Sequence, residues 1–207
     1  MANITVTGVS KAYGSKKLFE DVNVTFNEGR RYGLTGPNGA GKSTFMKILA
    51  GMLEPDAGTV SRPKKTQVLE QDQFAYESFR VLDVVLQGNR VLWEAMQEKE
   101  RLLALPEIGE QEGVCLGELE MIIAEEDGYT AEADAGDLLS GLGIPTSDHE
   151  KLMREVQGGL KLRVLLAKAI FGKPEALLLD EPTNNLDLDS IRWLEKYLEG
   201  YEGVLVT

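Results

Sequence analysis

A disulfide framework is closed to this sequence, because it holds a single cysteine, Cys115. The simplest expectation is a buried, reduced thiol in a cytoplasmic protein. With only one histidine, His149, beside that cysteine, a zinc site has too few ligands. No apolar run approaches the ~20 residues that a bilayer-spanning helix needs. The opening "MANITVTGVS" lacks both the charged start and the apolar stretch of a signal peptide. Bases are also missing locally: Leu102 to Glu150 contains 13 Asp and Glu and no Lys or Arg. That leaves 21 acids against 22 bases elsewhere, so the net charge of −12 belongs to one segment. Such a segment reads as a solvated helical surface that repels nucleic-acid phosphates, with a specific acidic docking face as the alternative, and DNA is not an expected partner.

What is present is a hydrophobic content of 43% and a charged content of 27%, the balance of a globular domain with a sizeable core. Ile4 and Val6, then Val22, Val24 and Phe26, alternate with polar residues as half-buried antiparallel strands do. "RRYGLTG" runs into a glycine-rich turn. Beyond it, Phe45, Ile48, Leu49 and Met52 fall on one face of a helix. "TQVLEQD" is a short strand. From about Val81 to Gly143 the pattern is helical, in two or three segments broken by "LPEIGEQEG" and "EEDGY". Leu162, Leu165, Leu166, Ala169 and Ile170 mark another amphipathic helix. "EALLLDEP" and "GVLVT" are continuous apolar runs, as in parallel strands covered on both faces. Strands at both ends and helices between predict an α/β nucleotide-binding core carrying a helical insertion.

"GPNGAGKST", Gly36 to Thr44, fits the phosphate-loop pattern G-x-x-x-x-G-K-[ST] and sits between a strand and a helix, as that motif requires. Glycines let successive backbone N–H groups curl toward an anion, and the helix that follows adds its positive end. Gly36, Pro37, Asn38, Gly39, Ala40, Gly41, Lys42, Ser43 and Thr44 are therefore candidate nucleotide contacts. Lys42 is expected to reach the β- and γ-phosphates, and Ser43 to ligate Mg²⁺. Far downstream, "ALLLDEPTNN" puts Asp180 at the end of a buried strand with Glu181 next to it. The first can hold Mg²⁺ through water. The second can orient or deprotonate an attacking water.

Together with "REVQGGLKLRVLL", these motifs resemble the ATP-binding cassette (ABC) ATPases across essentially the whole chain. The resemblance implies a P-loop ATPase core with a mixed sheet, an N-terminal antiparallel β part and an inserted helical subdomain, with ATP and Mg²⁺ as ligands. It divides residues 1–207 into a core, 1–77 and 158–207, and a subdomain, 78–157. It also assigns further roles. Tyr13 in "KAYG" corresponds to the aromatic that stacks on adenine, where an isolated strand-end tyrosine would otherwise be a packing residue. Gln71 in "VLEQD" corresponds to the glutamine that reaches Mg²⁺ and the attacking water. Asn184 to Asp187 match the loop that crosses to an opposing cassette. Gln157, Gly158 and Gly159 occupy the signature sequence, usually Leu-Ser-Gly-Gly-Gln, which closes over ATP held by a second cassette, in the parent chain or a homodimer mate.

"DEPTNNLDLDSIRWLE" is similar to the cytosolic ABC-F branch, whose members carry two cassettes in one polypeptide and act on the ribosome in translation. The alternative is the ATP-binding subunit of an ABC membrane transporter, where Ser-Ala-Leu-Asp is more common in place of Asn-Asn-Leu-Asp. Two departures stand out. Gln157 replaces the signature serine, and the sequence ends at "GVLVT", where the family continues into Ser-His-Asp. The resemblance thus implies the first cassette of a longer protein, shortened, and nearly inactive as an ATPase on its own.

Overall fold

β1 (Ile4–Tyr13) buries Ile4, Val6 and Val9 and pairs antiparallel with β2 (Lys16–Phe26), Ile4 facing Phe26 and Tyr13 facing Lys16 across the hairpin. The computed structural model describes residues 2–70, 72–184 and 186–207. Gln71 and Asn185 lie outside the described residues. The chain divides into two units, one of Met1–Glu70, Lys173–Leu186 and Ile191–Thr207, the other of Gln71–Gly172 and Asp187–Ser190.

In the first unit, β4 (Ala57–Ser61) pairs antiparallel with the other edge of β1. A second sheet of four strands is wholly parallel. It contains β3 (Arg31–Tyr32), β5 (Thr66–Val68), β6 (Ala176–Leu178) and β7 (Val204–Val206) in the order β3-β7-β6-β5. Parallel and antiparallel pairing are thus divided between two sheets. Every residue of β6 and β7 is buried, which accounts for their unbroken apolar runs. Phe45, Met46, Ile48 and Leu49 of α1 (Lys42–Ala50) share one core with Ile4 and Val6 of the first sheet and Leu178 and Val206 of the second. The helix that follows the phosphate loop is therefore held by both sheets. It ends two residues earlier than its apolar spacing predicts. Gly51 adopts the left-handed conformation (φ 75°) and donates its N–H to the Ile48 carbonyl, leaving Met52 60% exposed. Arg31 closes the end of α8 (Leu188–Glu199), its Nη2 donating at 2.7 Å to the carbonyls of both Leu198 and Glu199.

The second unit is helical: a 3-10 turn at Gln73–Tyr76, then α2 (Val81–Leu86), α3 (Arg90–Leu103), α4 (Glu110–Glu125), α5 (Ala131–Gly141), α6 (Thr146–His149) and α7 (Gly158–Ile170). Four helices, not two or three, fill Val81 to Gly143. The additional break is at Gly88 and Asn89. A Cβ on Gly88 would lie 2.1 Å from the Lys168 carbonyl oxygen of α7, so the chain turns there by close approach. Asn89 then caps α3, its Oδ1 accepting the Leu92 N–H at 3.3 Å. α4 begins inside the stretch expected to be a break, and Cys115 on it is half-buried rather than buried.

α7 packs on α2 and α5 and belongs to this helical unit, whereas the sequence division at 157 and 158 groups it with the core. Two lysines fix it. The nearly buried Lys161 ammonium donates to Glu77 at 2.6 Å. Lys168 hydrogen-bonds the Tyr76 hydroxyl, with its ammonium 4.3 Å from the ring centroid. The start of α7 is thereby tied to the turn that follows residue 71.

Candidate functional site

The phosphate loop leaves β3 at an edge shared with β6. Tyr32 pairs with Val206 and Val206 with Leu178, all strands pointing the same way. The pairing runs one step further on each side, Leu34 N–H donating to the Thr207 carbonyl and Leu179 N–H to that of Val206. The loop and Asp180 thus emerge from the carboxyl ends of strands two apart, roughly 10 Å at the usual strand spacing. That edge is where open parallel sheets bind their ligands.

Gly36 to Ala40 are exposed, and two glycines set the curl of the loop. Gly39 has φ 77° and Gly41, the N-cap of α1, has φ 97°. At Gly41 a side chain is disfavoured twice, since its Cβ would also crowd Leu18 Cβ at 3.2 Å and Phe19 Cε1 at 3.3 Å. Lys42 Nζ lies over the loop, donating to the Gly36 carbonyl at 2.8 Å and that of Pro37 at 3.3 Å. Ser43 is exposed in the first turn of α1, with Thr44 beside it.

Tyr13 ends β1 with 55% of its surface exposed and Lys11 Nζ 5.9 Å from its ring centroid. Asp56 fastens this strand end, accepting the Ala12 N–H at 2.8 Å and Lys11 Nζ at 2.6 Å. The hydrogen bond from Lys11 leads in holding the Asp56 carboxyl below its ordinary value. Across the hairpin from Tyr13 stands Lys16, whose ammonium is 3.9 Å from where a Gly39 Cβ would sit. Sequence reasoning passed over Lys16. Only the hairpin register brings this second cation to the phosphate loop.

Past β6, Asp180 is half-buried and Glu181 exposed. Glu181 has φ 50°, a conformation that costs a non-glycine residue ~1–2 kcal/mol, and its Oε2 accepts Asn184 Nδ2 at 2.6 Å. The turn therefore presents two successive carboxylates with distinct surroundings. A hydroxyl on Ser43 and a carboxylate on Asp180 are hard oxygen donors of the kind Mg²⁺ takes. Gln71, the third expected donor, lies outside the described residues.

In the helical unit, Gln157 caps α7 with an exposed side chain that makes no capping hydrogen bond, and Gly158 and Gly159 are exposed behind it. A Cβ on either glycine would meet nothing within 4 Å, so the positive end of α7 faces open space. Asp187 accepts the Ser190 N–H at 2.9 Å and Arg163 Nη1 at 2.7 Å. Arg163 is a contact that sequence reasoning missed, since nothing in "GGLKLR" marks one basic residue as a partner for a distant loop. The Ser190 N–H first, then Arg163, pull the Asp187 carboxyl down to about 2. Because the folded value lies below the ordinary 3.8, this interaction stabilises the fold above pH 4 and is lost as pH falls through 2. Asp187→Asn should thus be less stable than the parent at pH 5, with the gap closing toward pH 2, as urea unfolding at both pH values would read.

Residues 19–184 match the family model described as ABC transporter. The chain belongs to the ABC family of ATP-binding cassettes. The cassette is 54% identical over 202 residues to "Probable ATP-binding protein YbiT" of Escherichia coli O157:H7, covering 97% of this chain and 38% of that protein. It is 32% identical over 210 residues to "Energy-dependent translational throttle protein EttA" of Mycobacterium tuberculosis (strain CDC 1551 / Oshkosh), covering 98% of this chain and 37% of that one. It thus spans less than two fifths of the length of these curated relatives. Among solved structures it is similar in fold to "Dimeric Structure of MJ0796, a Bacterial ABC Transporter Cassette", with a TM-score of 0.66, 19% identity and coverage of 99% of this chain and 87% of that chain. Among the described residues, no helix is long and apolar enough to cross a membrane.

Proposed function

We propose that the cassette binds Mg-ATP at the phosphate loop and hydrolyses it in company with a second cassette, within a longer cytoplasmic ABC-F protein that acts on the ribosome. The observation that carries the ATP site is the convergence of the loop and the Asp180–Glu181 turn at one sheet edge, with Lys42 already lying over the loop. In this reading Tyr13 stacks on adenine, and the loop N–H groups and Lys42 hold the phosphates. Ser43, Asp180 and Gln71 would hold Mg²⁺, which neutralises phosphate charge when bound. Glu181, assisted by Gln71, takes a proton from the attacking water. Gln157, Gly158 and Gly159 act on ATP held by the facing cassette, as the exposed start of α7 allows. The isolated chain then binds ATP but turns it over slowly. Similarity to a relative named as a translational throttle supports the ribosomal role.

Lys42→Ala should weaken Mg-ATP about tenfold or more, the loss of a charge-assisted bond of ~1.5–3 kcal/mol, without unfolding the chain. Calorimetric titration of both forms checks this, and equal affinities would remove the loop from the site. For the full-length protein, sedimentation with ATP separates the two branches. Recovery with ribosomes supports the ABC-F reading, whereas recovery only with a membrane partner supports the transporter subunit.

A further inference from the structure

The helical unit holds a cleft of about 590 Å³ between α2, α3 and the turn into α5, a size typical of ligand-binding clefts. None of the residues assigned to nucleotide binding lines it. Ile123 is buried against its base, Trp93 and Met96 are half-buried in its wall, and Leu103 and Tyr129 stand at the rim, 54% and 74% exposed. The placement of Tyr129 is built in. Asp127 before it takes a left-handed φ of 57°, and a Cβ on Gly128 would fall 2.5 Å from Ile123 Cγ2 and 2.7 Å from Leu92 Cδ1. The chain is pressed against the helices at this turn, and the aromatic ring is left at the mouth.

The charges of the cleft are unbalanced. Arg80 is shared by Asp83 at 2.8 Å, Glu132 at 2.8 Å and Glu150 at 2.9 Å. Lys99 pairs with Glu120 at 2.6 Å, and Tyr129 Oη donates to that same carboxylate at 3.1 Å. The side chain of Glu100, also lining the cleft, makes no hydrogen bond or ion pair among the described residues. Two cations thus serve five carboxylates around an aromatic-walled hollow. A ligand that fits must bring positive charge, for which an indole or phenol face adds attraction, and apolar groups to cover Met96 and Leu103. A second copy of this acidic unit would be repelled, and so would RNA.

The geometry points to this cleft as a docking site for a basic, leucine-bearing peptide segment of a partner protein, with a lysine or arginine side chain seated between Trp93 and Tyr129 and facing Glu100. Trp193→Phe leaves Trp93 as the sole tryptophan, so its fluorescence reports the site. In that background, a 12-residue peptide of alternating leucine and lysine pairs should change the emission saturably at physiological salt. The same peptide with glutamate for lysine should not. Glu100→Lys and Tyr129→Ala should each weaken the basic peptide about tenfold. The charge-matched Glu118→Lys, on the exposed face of α4, should change it less than twofold. Mg-ATP affinity should be the same in all variants, which separates this site from the nucleotide site. No saturable response, an equal response to the acidic peptide, or equal losses from Glu100→Lys and Glu118→Lys would overturn the proposal.

Discussion

Gly158→Asp in the full-length protein should abolish ATP turnover while leaving the fold as stable as before. The two halves of this expectation have separate causes. The new Cβ enters open space, and a carboxylate in the first turn of α7 is favourable to that helix through its dipole. Stability has no reason to fall. A γ-phosphate brought to that helix end would instead meet a like charge. At ~4 Å and an effective dielectric of ~20 this costs about 4 kcal/mol, roughly a thousandfold in rate. Gln157→Ser should be tolerated, since the Gln157 side chain makes no capping hydrogen bond and the two donors of its amide give way to one hydroxyl. Steady-state ATPase assays beside thermal melts would decide the matter. Turnover of Gly158→Asp at the parent rate would make this stretch a helix start and nothing more.

Glu181→Gln should separate binding from chemistry. The substitution keeps the side-chain length and an oxygen able to accept the Asn184 amide, so the strained turn after β6 should persist. What disappears, on the proposed function, is the base for the attacking water, a contribution of ~10²–10⁴-fold in rate. Mg-ATP affinity should stay within about twofold of the parent, or rise, because a negative charge near the γ-phosphate is removed. Single-turnover hydrolysis with a parallel binding titration distinguishes this from general damage. A drop in affinity matching the drop in rate would assign Glu181 to holding the turn instead.

The core of the fold was readable because its signals are local. Alternation in β1 and β2 and the continuous runs of β6 and β7 each follow from which faces are covered. The phosphate loop announces itself because glycine takes the left-handed backbone of Gly39 and Gly41 most readily. Signals hidden from the sequence were those set by distant partners. Gly88 breaks a helix because the backbone of α7 passes beside it, about 80 residues later in the chain. Lys16 nears the phosphate loop only through hairpin register, and Arg163 finds Asp187 only once α7 has packed. The end of α1 was legible but misjudged, since Gly51 outweighs the apolar spacing that reaches Met52.

The parallel sheet has a consequence for how the molecule comes to exist. β5 waits for its neighbour β6 until roughly a hundred residues have been added, and β3 waits for β7 through roughly 170. Closing loops of that length is slow, and strands of continuous apolar residues are aggregation-prone while unpaired. The β1–β2 hairpin, joined by a two-residue turn, has no such wait, and the helices between can assemble from contacts near in sequence. On a translating chain the edge that presents the phosphate loop is therefore completed only when β7 arrives, after the hairpin and the intervening helices have had their chance to form.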